Sequence, residues 1–205
     1  MLLQGLTVRS AAELFPVKFL EWIDPWRRGV FVFQTGKNFG PPLIKASPQF
    51  SRVIERTIAG WDGKEAPPLS LTTYDGKPVT SAQLARQPHL VYFWFTNCPP
   101  CVKTSPILAE LFNKYSKQGF KVVGANADKV LELPYDDKVR TEYAKKYGFT
   151  FTLAHLNPET QQAYGGVSVF PTMFFVDKSG TIVKHFVNFQ EKPILEAAIQ
   201  QTLSK

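Results

Sequence analysis

Leu90-Val91-Tyr92-Phe93-Trp94-Phe95 is an unbroken apolar run of strand length, and it leads almost directly into Asn97-Cys98-Pro99-Pro100-Cys101. A run of this length without polar alternation is what a strand buried on both faces of a sheet requires. Beyond it a helical pattern extends from about Cys101 to Gln118 and stops at Gly119, a residue suited to a helix C-terminus. Phe120 to Ala125 then supplies a second buried strand. Strand, helix and strand in this order form a parallel βαβ unit, with the cysteine pair at the turn from the first strand into the helix.

That placement gives the pair a chemical meaning. The chain has only two cysteines, so a framework of several disulfides is excluded. A structural zinc site needs four ligands, and His89, His155 and His185 show no ligand spacing to one another or to the cysteines. What remains is redox cycling. At a helix N-terminus, unpaired backbone N–H groups and the helix dipole favour negative charge, which lowers a cysteine pKa from about 8.5 into the range of about 3.5 to 7.5. Cys98 is thus the expected attacking thiolate. Cys101, one turn on and expected to be more buried, resolves the mixed disulfide. Pro99 and Pro100 fit the first helical turn, where a missing N–H costs nothing, and they stiffen it.

The rest of the chain frames this unit. Ala66 to Leu71 reads as a short strand, Asp75-Gly76 as a tight hairpin turn, and Ser81 to Ala85 as a short helix. An amphipathic helix is expected near Asp137 to Tyr147, a short strand over Thr150 to Leu153, and a helix over Pro158 to Tyr164. Thr172 to Val176 and Ile182 to Val187 form a hairpin across Asp177-Lys178-Ser179-Gly180, and Lys192 to Leu203 closes the chain as a helix. Residues 1 to 64 read differently, as an extension or small subdomain, with residues 65 to 205 as the main domain. Ser10 and Glu13 suggest a capping box opening a helical run to Ile23; Val30 to Phe33 is apolar; Pro48 to Ala59 suggests another short helix. Trp22, Trp26, Phe31, Phe33 and Trp61 are expected to pack on a neighbouring core.

Residues 65 to 204 resemble the thioredoxin-like family that includes TlpA, ResA and CcmG. The resemblance is carried by Ala66-Pro67, Asp75-Gly76-Lys77, the run from Phe93 to Cys101, Pro106, and Gly166-Val167-Ser168-Val169-Phe170-Pro171-Thr172 with Phe174-Phe175-Val176-Asp177 and Gly180. It implies an α/β thioredoxin-like fold, a central mixed sheet flanked by helices, with residues 128 to 166 as the family's insertion. It also implies a cis proline at Pro171 lying against the cysteines, Phe170 and Pro171 offering backbone to a substrate peptide, and Trp94 packed beneath the site. Two departures stand out: Tyr92 occupies the position of the buried carboxylate of thioredoxins, and Thr104 that of a glutamate common in TlpA-like members. Asp128 or Glu132 is then a candidate for moving protons. Asn97 stands where many relatives have tryptophan, and His89 reads as a surface or loop residue.

The function that follows is thiol–disulfide exchange, on this resemblance the reduction of protein disulfides outside the cytoplasm by a protein recharged from a membrane or soluble thiol donor. No cofactor is called for, and the residue after Cys101 is Val102 rather than the histidine of a haem-attachment site. The net charge of +7 comes from scattered lysines and arginines, so no nucleic-acid partner is expected. No apolar run reaches the roughly 18 residues of a spanning helix, and Ala11 to Ile23 is broken by Glu13, Lys18 and Glu21. Membrane association would then need an anchor not visible in this chain. Two other readings stand beside this one: a thiol peroxidase, which shares much of the architecture but needs a threonine and proline around its cysteine, and a redox-inert module that docks a partner.

Overall fold

The structure, a computed structural model, describes residues 60–205 together with the backbone of two strands nearer the N-terminus. The chain divides into two units, Met1–Lys45 and Ala46–Lys205. In the first, β1 (Phe19–Ile23) pairs antiparallel with β2 (Val30–Gln34). The expected helix from Ser10 to Ile23 is therefore corrected at its C-terminal end. Phe-Leu-Glu-Trp-Ile is rich in aromatic and β-branched residues, and a hairpin partner is available in Val30–Gln34. The expected helix at 48–59, and the side chains of Trp22, Trp26, Phe31 and Phe33, lie outside the described residues.

The second unit is built on a seven-stranded sheet. Its strands are β3 (Ser70–Thr73), β4 (Pro78–Thr80), β5 (His89–Trp94), β6 (Lys121–Asn126), β7 (Thr152–His155), β8 (Thr172–Val176) and β9 (Ile182–Val187), in the spatial order β4-β3-β7-β6-β5-β8-β9. β6 runs parallel to both β5 and β7, while the other neighbours pair antiparallel, so the sheet is mixed. Among the described residues five α-helices accompany it: α1 (Ser81–Leu84), α2 (Pro99–Tyr115), α3 (Asp137–Lys146), α4 (Pro158–Ala163) and α5 (Lys192–Ser204).

Every residue of β5 is buried, as its apolar run requires. Fully burying such side chains contributes roughly 1.5 to 3 kcal/mol each, which makes β5 the anchor of the core. His89 corrects an expectation. It is the first residue of β5, only 7% exposed, with its Nδ1 2.7 Å from the Gln87 carbonyl. Burial lowers the imidazole pKa, against the opposing hydrogen bond to Gln87 and the charge of Asp177, so the ring sits neutral in the sheet.

The first strand of the main sheet begins later than expected, at Ser70. Ahead of it the chain runs along β9 instead: Gly63 N–H donates to the Ile182 carbonyl, Ile182 N–H to that of Lys64, and Ala66 N–H to that of Gly180. The two prolines Pro67 and Pro68 cannot donate to a ladder, which explains why regular pairing starts only after them. Trp61 packs edge-on against Phe174 at 5.4 Å. The strand at Thr152–His155 also lies two residues later than expected.

Candidate active site

Three elements converge on the cysteines. β5 delivers the chain to the site, α2 carries Cys98 and Cys101 at its start, and the loop before β8 brings in Phe170 and Pro171. Cys98 is the N-cap of α2, with Pro99 and Pro100 in the first turn. Its Sγ accepts a hydrogen bond from the Cys101 backbone N–H at 3.3 Å. The two cysteines are joined as a disulfide, their Cα atoms 5.1 Å apart, inside the usual span for such a bond. Cys98 is 1% exposed and Cys101 0%, so in the disulfide both residues are buried and little separates them.

Phe170, followed in the chain by Pro171, lies against Cys98. The Phe170–Pro171 peptide is cis, and the Phe170 carbonyl oxygen is 3.8 Å from Cys98 Sγ. Phe170 is held by Phe95, which meets it edge-on at 5.4 Å. The Thr172 hydroxyl donates to the Val169 carbonyl at 2.7 Å and closes the loop. Asn97, exposed beside Cys98, donates through Nδ2 to the Tyr135 hydroxyl at 3.3 Å, giving the rim a polar edge.

Beneath the cysteines lies an aromatic floor. Trp94 is fully buried, stacked on Tyr143 at 5.0 Å and parallel to Tyr92 at 6.4 Å. Tyr92 stands at the place of the thioredoxin carboxylate, and burial drives its phenol pKa upward, the nearby Ser105 hydroxyl opposing this. Tyr92 is thus a neutral group. Burial also pushes Tyr143 up to about 12. Thr104 is buried as well, and its hydroxyl donates to the Pro100 carbonyl at 2.9 Å, while that of Ser105 donates to the Cys101 carbonyl at 2.7 Å. Of the two acid positions, Thr104 thus has its hydroxyl bonded within the helix, while the Tyr92 hydroxyl is buried with no hydrogen-bond partner among the described residues.

A charged cluster unseen in the sequence sits behind the loop. Asp128, fully buried, accepts from Thr96 N–H at 2.8 Å, from the Thr96 hydroxyl at 2.6 Å and from Arg140 Nε at 3.0 Å. Arg140 also donates to Asp137 at 2.7 Å, and Asp137 lies 3.3 Å from His155 Nε2. Glu132 is exposed and lines, with Lys129, Thr72, His155 and Asn157, an open groove of about 600 Å³. No cluster of metal-ligating side chains occurs among the described residues.

A helix N-cap sulfur bonded to a second sulfur one turn along, at the end of a fully buried interior strand of this sheet, places the chain in the class of thioredoxin-like thiol–disulfide oxidoreductases. Comparison with known proteins agrees. The Redoxin family model matches residues 62–199. The thiol-disulfide oxidoreductase ResA of Bacillus thuringiensis (strain Al Hakam) is 30% identical over 139 residues, covering 68% of this chain and 77% of ResA. ResA of Bacillus subtilis (strain 168) is 29% identical over 126 residues, covering 60% of this chain and 65% of its own. Among solved structures, a thiol:disulfide interchange protein of the thioredoxin family from Chlorobium tepidum TLS superposes with a TM-score of 0.60 at 27% identity, covering 71% of this chain and 99% of that one. The chain belongs to the Redoxin family, and within it to the thioredoxin-like group of TlpA, ResA and CcmG.

Proposed function

We propose that this protein reduces disulfides of other proteins outside the cytoplasm, with residues 65–205 as the catalytic domain and residues 1–64 as an extension to it. The observation that carries the reading is the position of Cys98 as N-cap of α2, bonded to Cys101. In the reduced protein the Cys98 thiolate attacks a substrate disulfide, and one substrate sulfur leaves as a thiolate. Cys101, deprotonated in turn, attacks Cys98 Sγ and releases the second substrate sulfur, so two electrons and two protons pass from the cysteine pair to the substrate. Phe170 and Pro171 form the surface that receives substrate backbone, and Pro99, Pro100 and Trp94 support the cysteines.

Direction and location rest on the resemblance to the TlpA, ResA and CcmG group. A membrane-bound or soluble thiol donor returns the pair to the dithiol state, and attachment to a membrane would run through an anchor. Among the described residues no helix is long and apolar enough to cross a membrane. The reduction potential tests the direction: equilibration in defined thiol buffers should give a value near thioredoxin's, about −270 mV, whereas a value near about −120 mV would make the protein an oxidant.

A further inference from the structure

Only Phe95, Thr96 and Asn97 join the end of β5 to Cys98, and this short turn is conformationally demanding. Asn97 has φ +61°, in the left-handed region that few residues other than glycine enter, asparagine being among the better tolerated. Backbone pairing within the turn is limited to a 3.3 Å bond from Cys98 N–H to the Phe95 carbonyl. Most of the grip comes from elsewhere, since both polar groups of Thr96 donate to the carboxylate of Asp128, 32 residues away.

The pair behind that carboxylate is costly to keep. Asp128 is 0% and Arg140 2% exposed, and a buried ion pair gives little net stability over apolar residues of the same volume. The surrounding network is also incompletely satisfied: the Tyr74 hydroxyl, Asn126 Nδ2 and His155 Nδ1 are buried with no hydrogen-bond partner among the described residues. Partly satisfied polar networks destabilise a core. Stability alone does not account for this arrangement, whereas its geometry does. A carboxylate can accept from Thr96 N–H, from Thr96 Oγ1 and from a guanidinium together, which a neutral amide or an apolar side chain cannot. Arg140 matters for a second reason, because an unpaired anion beside this turn would oppose a thiolate at Cys98.

We infer that Thr96 and Asp128 are positioning residues for the thiol chemistry: by fixing the turn they hold Cys98 at the N-cap of α2, where the helix N–H groups stabilise its thiolate. Arg140 lets a charged acceptor do this without an uncompensated charge. The inference rests on the reading of Cys98 as the attacking thiol. Asp137, His155, Lys129, Tyr74 and Tyr143 are the other titratable groups around the pair, and none of them hydrogen-bonds Thr96.

The test is the pH dependence of Cys98 alkylation by iodoacetamide in the full chain carrying Cys101→Ala, with Thr96→Val and Thr96→Ser added to that background. With Thr96 intact, the midpoint should lie below the free-cysteine value of about 8.5. Thr96→Val should raise it by about one pH unit, a tenfold loss of thiolate below the midpoint, and Thr96→Ser, which keeps the hydroxyl, should restore it. If Thr96→Val does not fold, Thr96→Ala provides the same comparison. An unshifted midpoint in Thr96→Val or Thr96→Ala, even with a lower melting temperature, overturns the inference, because Thr96 would then be structural only. If the parent itself titrates near 8.5, the reading of Cys98 as an activated thiol fails instead, and the inference with it.

Discussion

Cys98 Sγ lies 3.8 Å from the carbonyl oxygen of Phe170, a residue 72 positions further along the chain. The sulfur thus stands between opposing influences: the N–H groups of α2 favour its negative charge, and the carbonyl dipole of Phe170 disfavours it. On the proposed function, a substrate sulfur that takes up Cys98 Sγ would come within reach of the same carbonyl.

Exchange through this sulfur should separate the two cysteines by phenotype. Cys98→Ser is expected to lower disulfide reduction to the uncatalysed rate. Cys101→Ser keeps the attacking thiol but removes the resolving one, so a mixed disulfide with substrate should accumulate. Non-reducing electrophoresis after mixing with a disulfide-bonded protein reads both outcomes, and an adduct formed by Cys98→Ser in place of Cys101→Ser would reverse the assignment.

Gly124 of β6 is required by its neighbours. A Cβ at this position would lie 2.8 Å from Leu153 Cδ2 and 3.2 Å from both Phe151 Cε2 and Trp94 Nε1. Gly124→Ala should cost about 1 to 3 kcal/mol by overpacking, seen as a lower urea midpoint. The displaced indole should also change the tryptophan emission. An unchanged midpoint would mean that the floor of the site is looser than these distances allow.

Removing one partner of the buried pair should be expensive. Arg140→Leu leaves Asp128 buried with its charge unpaired, and about 3 to 5 kcal/mol of stability should be lost in urea unfolding. Asp128→Leu combined with Arg140→Leu should recover part of that loss, since no charge then stays behind. Additive losses would argue against direct coupling.

The stability of the fold should fall in mild acid through His185. Burial, opposed by Asp62, pushes this imidazole down to about 4 from the usual 6.5, and its ring packs at a tilt against Phe174 at 4.5 Å beside Trp61. Between these two values the unfolded chain takes up a proton that the folded chain refuses, so unfolding gains as pH falls through that window. Above 6.5 both states are neutral, and below about 4 both are charged, so the contribution is constant outside the window. His185→Phe should narrow the difference between urea midpoints measured at about pH 7 and about pH 4.5. An equal difference in the variant would assign the acid sensitivity to other groups.

Where the signal was local, the sequence was readable: an apolar run, a proline-rich first turn and a glycine stop mark β5 and α2, and a four-residue turn marks the hairpin of β8 and β9. Errors arose where tertiary contacts decide. His89 looked like a loop residue because imidazole is polar, yet the Gln87 carbonyl lets it enter the sheet. Phe19–Ile23 pairs as a strand, although a capping box further upstream pointed to a helix. Asp128 entered only as a candidate, with Glu132, for moving protons. Its partners Thr96 and Arg140 lie 32 and 12 residues away, and no spacing rule connects them.

The borders of the sheet have a consequence for traffic at the site. One edge strand, β4, is three residues long and begins with proline; the other, β9, is met at its first residue, Ile182, by Gly63 and Lys64. Short, proline-bearing or covered edges are poor templates for strand addition. On the proposed function, a protein held at Cys98 through one sulfur finds no ladder to zip onto along β4, so at that border it departs once the bond is exchanged.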